Sequence, residues 1–297
     1  MIRPHEQPAP PAPLASATAG RERPVRLGAV QYLNTRPLIY GLSAPISFDL
    51  PSRLADRLAA GELDVALIPS VELFRGLSPS GSDDGYQIVS RSCIACRGPV
   101  MSVRLFFRTR PERTQRLAVD EGSRTSIALS RILLHERFGV TPALEPLPIG
   151  ADAESTDADA VLLIGDRAIA PTGGGFQAVW DLGDEWYRWT GLPFVFAVWA
   201  ARGGFHQPAL ARQLDQARDH GLANLAAIAA AEAAPHGLTV PQCHDYLREN
   251  LYYDLGPNEC RGLALFHEKA ARLNLVPNAC PLAQAFSAVS ASSSGIH

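Results

Sequence analysis

The chain has 297 residues, enough for one large domain or for two with real hydrophobic cores. Hydrophobic residues make up 46% and charged residues 19%, the profile of an ordinary globular chain and neither a disordered nor a membranous one. A formal net charge of −3 leaves no basic excess to neutralise phosphates, so nucleic acid is not an expected partner.

Residues 1–24 are rich in Pro and Ala and hold no continuous apolar run, so they read as a disordered arm and not as a secretory signal. The first strand is expected over residues 26–30 (RLGAV). It runs into Gln31-Tyr32-Leu33-Asn34-Thr35-Arg36-Pro37, a strand-to-helix corner in which Pro37 suits the first helical position. Corners of this kind, at the carboxyl ends of parallel strands, are where open α/β sheets bind ligands. Asn34 offers a neutral donor and acceptor there; capping of the helix by Asn34 or Thr35 is the plainer alternative.

A short strand at 46–50 follows. Pro51-Ser52 then opens a helix with Leu54, Ala55, Leu58 and Ala59 on its apolar face, closed by Gly61. Residues 65–68 (VALI) form an apolar strand ending at Pro69-Ser70, and this βαβ order predicts a parallel sheet. Residues 87–95 and 103–107 read as two strands joined by a turn at Gly98-Pro99. In that turn Gly98 permits close backbone approach, and Ser102 presents a hydroxyl at the start of the next strand.

Residues 117–119 form another short strand, and Ser123-Arg124-Thr125-Ser126 then leads into an amphipathic helix over 125–138. Hydroxyls and free backbone N–H groups at a helix N-terminus form an anion site fitted to a carboxylate or a phosphate; capping is again the alternative. A buried strand at 160–164 ends in Gly165-Asp166. From Pro208 the chain reads as helical nearly to Pro277, broken near Pro235, Pro241 and Pro257.

The five cysteines, Cys93, Cys96, Cys243, Cys260 and Cys280, are odd in number and irregular in spacing, which is no disulfide framework. Cys93 and Cys96 form a C-x-x-C. Arg97-Gly98-Pro99 follows it with a turn, where a thioredoxin motif needs a helix, and a zinc site lacks two ligands nearby. Reduced, buried thiols and no metal are expected. Lys269 is the only lysine and reads as solvated, which leaves no lysine for a Schiff base in the body of the fold. No stretch approaches the roughly 18 apolar residues of a membrane span.

These elements divide the chain into an arm (1–24), a first lobe begun by 25–109, a second lobe inserted at 110–195, a mainly helical return to the first lobe (196–280) and a disordered tail (281–297). Two α/β lobes joined by two crossings form a hinged clamp with a cleft between them.

QYLNTRPL, PSRLADRLAAGELDVALIPSVE, CRGPVMSVRL, SRTSIALSRILL, ADAVLLIGDRA and DLGDEWYRWTGLPFVFAVWAAR occur in that order. As an ordered set they make the chain resemble the chorismate dehydratases of the futalosine route to menaquinone. The likeness is strong over residues 25–202 and looser to about 275. The resemblance implies a fold like the type II periplasmic solute-binding proteins, and a cytoplasmic enzyme that removes water from chorismate without a cofactor or an obligatory protein partner. It implies catalytic roles for Asn34 and Ser102, with Ser123, Arg124, Thr125, Ser126, Gly98, Ser70 and Asp166 around the substrate. The sister enzyme, 1,4-dihydroxy-6-naphthoate synthase, shares the fold but begins with an SPCPND-type corner, unlike Tyr32-Leu33-Asn34-Thr35 here. A non-catalytic small-anion-binding protein of the same fold, or the sensing domain of a regulator, are the other readings. The absence of an export signal, and of a helix-turn-helix before Val25, sets them behind the dehydratase.

Overall fold

Strands and helices alternate through two sheets. A computed structural model describes residues 24–78, 84–120, 122–148, 150–169, 174–278 and 282–286. The expected arm lies outside the described residues except for Pro24. The expected tail does too, apart from a short helix at Leu282–Ala285 whose Ala285 is buried, so order extends into the predicted disordered segment.

In the first sheet β1 (Leu27–Ala29) pairs in parallel with β2 (Ile46–Phe48) and with β3 (Val65–Pro69). Between β2 and β3 lies α1 (Pro51–Ala59), opened by a proline whose missing N–H costs nothing there. It buries Leu54, Ala55 and Leu58 on the sheet, the two leucines contributing about 2 kcal/mol each. Helix α2 (Ser70–Gly76) follows β3 directly, and β4 (Gln87–Cys96) comes next. The chain then leaves for the second sheet.

There β5 (Val103–Phe107), β6 (Arg116–Asp120), α3 (Arg124–Phe138), β7 (Ala143–Leu147), β8 (Ala160–Ile164), α4 (Asp166–Ile169) and β9 (Ala178–Asp181) assemble, followed by α5 (Leu182–Thr190). Strand β10 (Phe194–Ala201) returns to the first sheet. The helices α6 (Pro208–Ala223), α7 (Leu225–Glu232) and α8 (Val240–Asp245), strand β11 (Tyr252–Asp254) and helix α9 (Pro257–Arg272) complete it.

The first sheet has the order β11-β4-β10-β3-β1-β2 and the second β7-β6-β8-β5-β9. Each contains one strand that enters from the other sheet, β10 or β5, and runs antiparallel to its neighbours. Strand β8 is apolar throughout because both faces of its sheet are covered: Leu162 joins the main core, while Val161 and Leu163 join a smaller cluster with Phe106, Ala118 and Leu147 on the other face.

Several expectations need correction. The corner after β1 is a 3-10 turn, Leu33–Ile39, with Pro37 inside it and not at its start; Thr35 N already bonds Tyr32 O before the proline is reached. The two strands expected to be joined by a turn at Gly98-Pro99 lie in different sheets, so 98–102 is a crossing between them. The C-terminal stretch is interrupted by β11, which pairs with the edge of β4 at Tyr252↔Ala95. Pro257 does open a helix, as its position suggests.

Candidate active site in the cleft between the sheets

The carboxyl ends of β1, β3 and β8 and the N-terminus of α3 converge on one cleft, which holds about 570 Å³ of empty space including its open mouth. Such a crevice is where open α/β sheets carry their ligands. Its apolar walls are Val30, Leu67, Ile94, Val100, Ile164 and Phe196, and its polar groups come from Tyr32, Asn34, Ser102, Ser123, Arg124, Thr125 and Ser126.

Asn34 reaches the cleft from the 3-10 turn. It caps nothing: the turn has no side-chain cap, and Asn34 Oδ1 accepts a hydrogen bond from Thr35 Oγ1 at 3.3 Å. The turn is pressed inward by α6, whose Gly221 meets the Pro37 carbonyl so closely that a Cβ there would run into it.

Ser102 is set by the crossing. Gly98 sits at φ +124°, a conformation suited to glycine, and Met101 is held at φ +60°, where a non-glycine residue is strained. The Asp181 carboxylate secures this bend, accepting from Val100 N at 2.9 Å and Met101 N at 2.7 Å, while also capping α5 through Gly183 N and Asp184 N. The outcome is a Ser102 side chain that is 1% exposed, with an Oγ that has no hydrogen-bond partner.

At the start of α3 Thr125 Oγ1 accepts from Val71 N at 3.2 Å and lies 3.4 Å from Ser70 Oγ, so this helix end abuts the N-terminus of α2. Arg124 forms a bidentate pair with Asp56, both contacts 2.8 Å, and approaches Glu72 at 3.3 Å. Its guanidinium is therefore engaged by α1 and α2 across the cleft.

Tyr32 closes one wall, its ring against Gly165. Burial raises its pKa to about 12, with Asp120 and Asp166 adding to the rise and Arg167 opposing it. Tyr32 and Arg124 are the titratable side chains of the lining; among the described residues no carboxylate, imidazole, amine or thiol faces the cleft.

Of the residues singled out in the sequence, Asn34, Ser102, Ser123, Arg124, Thr125 and Ser126 come together here. Gly98, Ser70 and Asp166 do not line the cleft. Ser70 Oγ donates to Val195 O at 2.7 Å, and Asp166 accepts from Leu33 N at 3.3 Å and pairs with His236 at 3.2 Å. Burial raises the Asp166 pKa, which the His236 charge opposes. Cys93 and Cys96 are both buried in β4, and three residues apart on a strand they face opposite sides. One polar residue of the lining, Tyr32, was not singled out, although it stands in the same corner as Asn34. Tyr246, whose hydroxyl lies near Ser102 and Asn34, comes from the far C-terminal helices and carries no local signal.

Fold and cleft together define a two-lobed α/β clamp of the periplasmic-binding-protein kind. A crystal structure of a protein from Archaeoglobus fulgidus superposes with a TM-score of 0.69 at 17% identity, covering 86% of this chain and all of the other. The aliphatic sulphonate-binding protein SsuA of Escherichia coli superposes with a TM-score of 0.57 at 16% identity, covering 88% and 90% of the two chains. The chain belongs to the menaquinone-biosynthesis family, which it matches over residues 25–272. A relative, the chorismate dehydratase of Thermus thermophilus, is 34% identical over 266 residues, 83% of this chain and 95% of its own length.

Proposed function

We propose that this protein is a chorismate dehydratase of the futalosine route, converting chorismate to 3-[(1-carboxyvinyl)oxy]benzoate and water. One observation carries the reading: the cleft sets Asn34 and an unpartnered Ser102 hydroxyl near a hydroxyl-bearing helix N-terminus, yet among the described residues no carboxylate, imidazole, amine or thiol faces it. That inventory suits a reaction driven by the substrate itself. The ring C–O bond breaks, the proton on the neighbouring ring carbon is lost, and the two leave as water while the ring becomes aromatic.

Aromatisation supplies the driving force, so the protein's work is orientation. Ser123, Thr125 and Ser126, with the backbone N–H groups at the start of α3, hold one substrate carboxylate. Asn34 orients the ring, and Ser102 donates a hydrogen bond to the departing oxygen. The side-chain carboxylate of chorismate accepts the ring proton. Arg124 keeps α3 docked on α1 and α2, while Gly98, Ser70 and Asp166 support the site from behind.

In this reading the sheets belong to two lobes hinged at 98–102 and at 191–193. The enzyme works in the cytoplasm, a setting that suits the free buried thiols Cys93, Cys96 and Cys243. The experiment is direct: purified protein incubated with chorismate should release the aromatic ether acid, followed by chromatography. Binding of chorismate without conversion would sink the enzyme reading and leave a binding protein.

A further inference from the structure

Two buried hydroxyls at the cleft lack hydrogen-bond partners: Ser102 Oγ in its lining and Tyr246 OH outside it. A buried hydroxyl left unpaired is costly, and native proteins keep few of them, so each calls for an explanation. The Ser102 hydroxyl faces the cleft and meets the substrate. Tyr246 does not line the cleft; it is 1% exposed and opens a single π-helical turn, Tyr246–Asn250, at the end of α8. Such turns recur at functional sites, because the extra residue re-aims a side chain that a regular helix would place elsewhere. This one is tied to the crossing that carries Ser102: Asn250 Nδ2 donates to Pro99 O at 3.0 Å.

We infer that Tyr246 is a positioning residue for the reaction: its hydroxyl donates to Ser102 Oγ once substrate is bound, and so directs the Ser102 proton into the cleft. The inference rests on the dehydratase reading given above. A serine hydroxyl rotates freely and donates toward whatever acceptor it finds. With a fixed donor behind it, Ser102 Oγ accepts from that side, and its own proton is left for the substrate's departing oxygen. Tyr246 suits the part because it stays protonated. Burial drives its pKa upward, aided by the negative charges of Asp166 and Asp181, while the nearby Ser102 and Asn34 side chains pull the other way without reversing it. Burial thus favours the protonated phenol, which has a proton to donate.

Tyr246→Phe removes the hydroxyl and keeps the ring. Its kcat on chorismate should fall about ten-fold, less than the loss on removing the direct donor, with KM near the parent value and a thermal midpoint no lower. In a Ser102→Ala background the same change should have no further effect on kcat. A parental kcat for Tyr246→Phe, or an equal added loss without Ser102, would overturn the inference; a lowered midpoint with normal kcat would make Tyr246 a packing residue only. One measurement stands apart from turnover. The Tyr246 hydroxyl proton, shielded from exchange, should shift in the NMR spectrum of the chorismate-bound protein when Ser102 becomes Ala, and an unmoved resonance would likewise overturn it. Should the parent protein not convert chorismate at all, the dehydratase reading fails, while this resonance still decides whether the two hydroxyls are bonded.

Discussion

Asn34 carries two readings, cap or substrate ligand, and the structure removes the first. It is the second residue of a 3-10 turn that has no side-chain cap, and its amide faces the cleft. Asn34→Ala should therefore cut turnover by about 100-fold or more, on the scale of a lost preorganised donor, while the thermal midpoint barely moves. A capping Asn34 would do the reverse, with about 1 kcal/mol of stability lost and activity kept. Tyr32 makes a different prediction at the same scale. Its pKa rises from 10.0 to about 12 in the fold, so the unfolded chain gives up this proton first. The contribution Tyr32 makes to stability is complete below the unfolded value and is lost as pH climbs through about 12. Tyr32→Phe should flatten the alkaline fall in stability across that window, read from denaturant midpoints at stepped pH; an unchanged slope would place the shift elsewhere.

Helix α3 shows how one element serves two ends. Thr125 Oγ1 satisfies Val71 N across the cleft, whereas Ser126 lines the cleft beside it. Thr125→Val should leave a buried N–H unpaired and cost about 1–3 kcal/mol of stability. Ser126→Ala should leave stability alone and raise the chorismate Kd about ten-fold, equal to about 1.4 kcal/mol. Calorimetry that found chorismate bound by both variants as tightly as by the parent would move the carboxylate site off this helix. The elements themselves were unevenly legible. Helix α1 was readable because Pro51 marks its start and Leu54, Ala55 and Leu58 repeat at helical spacing. Strand β10 (FVFAVWAA) is apolar on both faces, and such a run has no period by which to tell strand from helix. Strand β11 has three residues between helices, too few for any pattern. Pro37 misled because a proline marks a helix start only where the chain before it is extended. Asn34, Ser102 and the 123–126 hydroxyls were legible since they stand next to apolar strands or open a helix. The pairing of Arg124 with Asp56, and Tyr246 behind Ser102, were not, because both depend on how distant segments dock.

At the scale of the whole molecule one apolar core runs beneath both sheets, and polar contacts join the two halves around the cleft. Arg124 reaches Asp56 and Glu72, Asp166 reaches Leu33 N and His236, and Lys269 meets Glu136 at 3.0 Å. The pair of Arg124 with the exposed Asp56 contributes little to stability, about 0–1 kcal/mol. Arg124→Gln should change the unfolding free energy by no more than that. It should enlarge the ligand-free radius of gyration in small-angle scattering and weaken chorismate binding several-fold, with kcat kept. An unaltered radius and Kd would mean that Arg124 does not hold the clamp closed.

The account stands most directly on Ser102, the unpartnered hydroxyl in a cleft that no carboxylate, imidazole or amine faces among the described residues. A hydroxyl that acts equally on bound substrate and transition state changes KM alone when removed, whereas one that meets the departing oxygen changes kcat. For Ser102→Ala, steady-state kinetics alongside calorimetry should show kcat reduced by about 100-fold or more and chorismate bound intact at close to the parent affinity. Turnover at the parent rate by that variant would contradict the account.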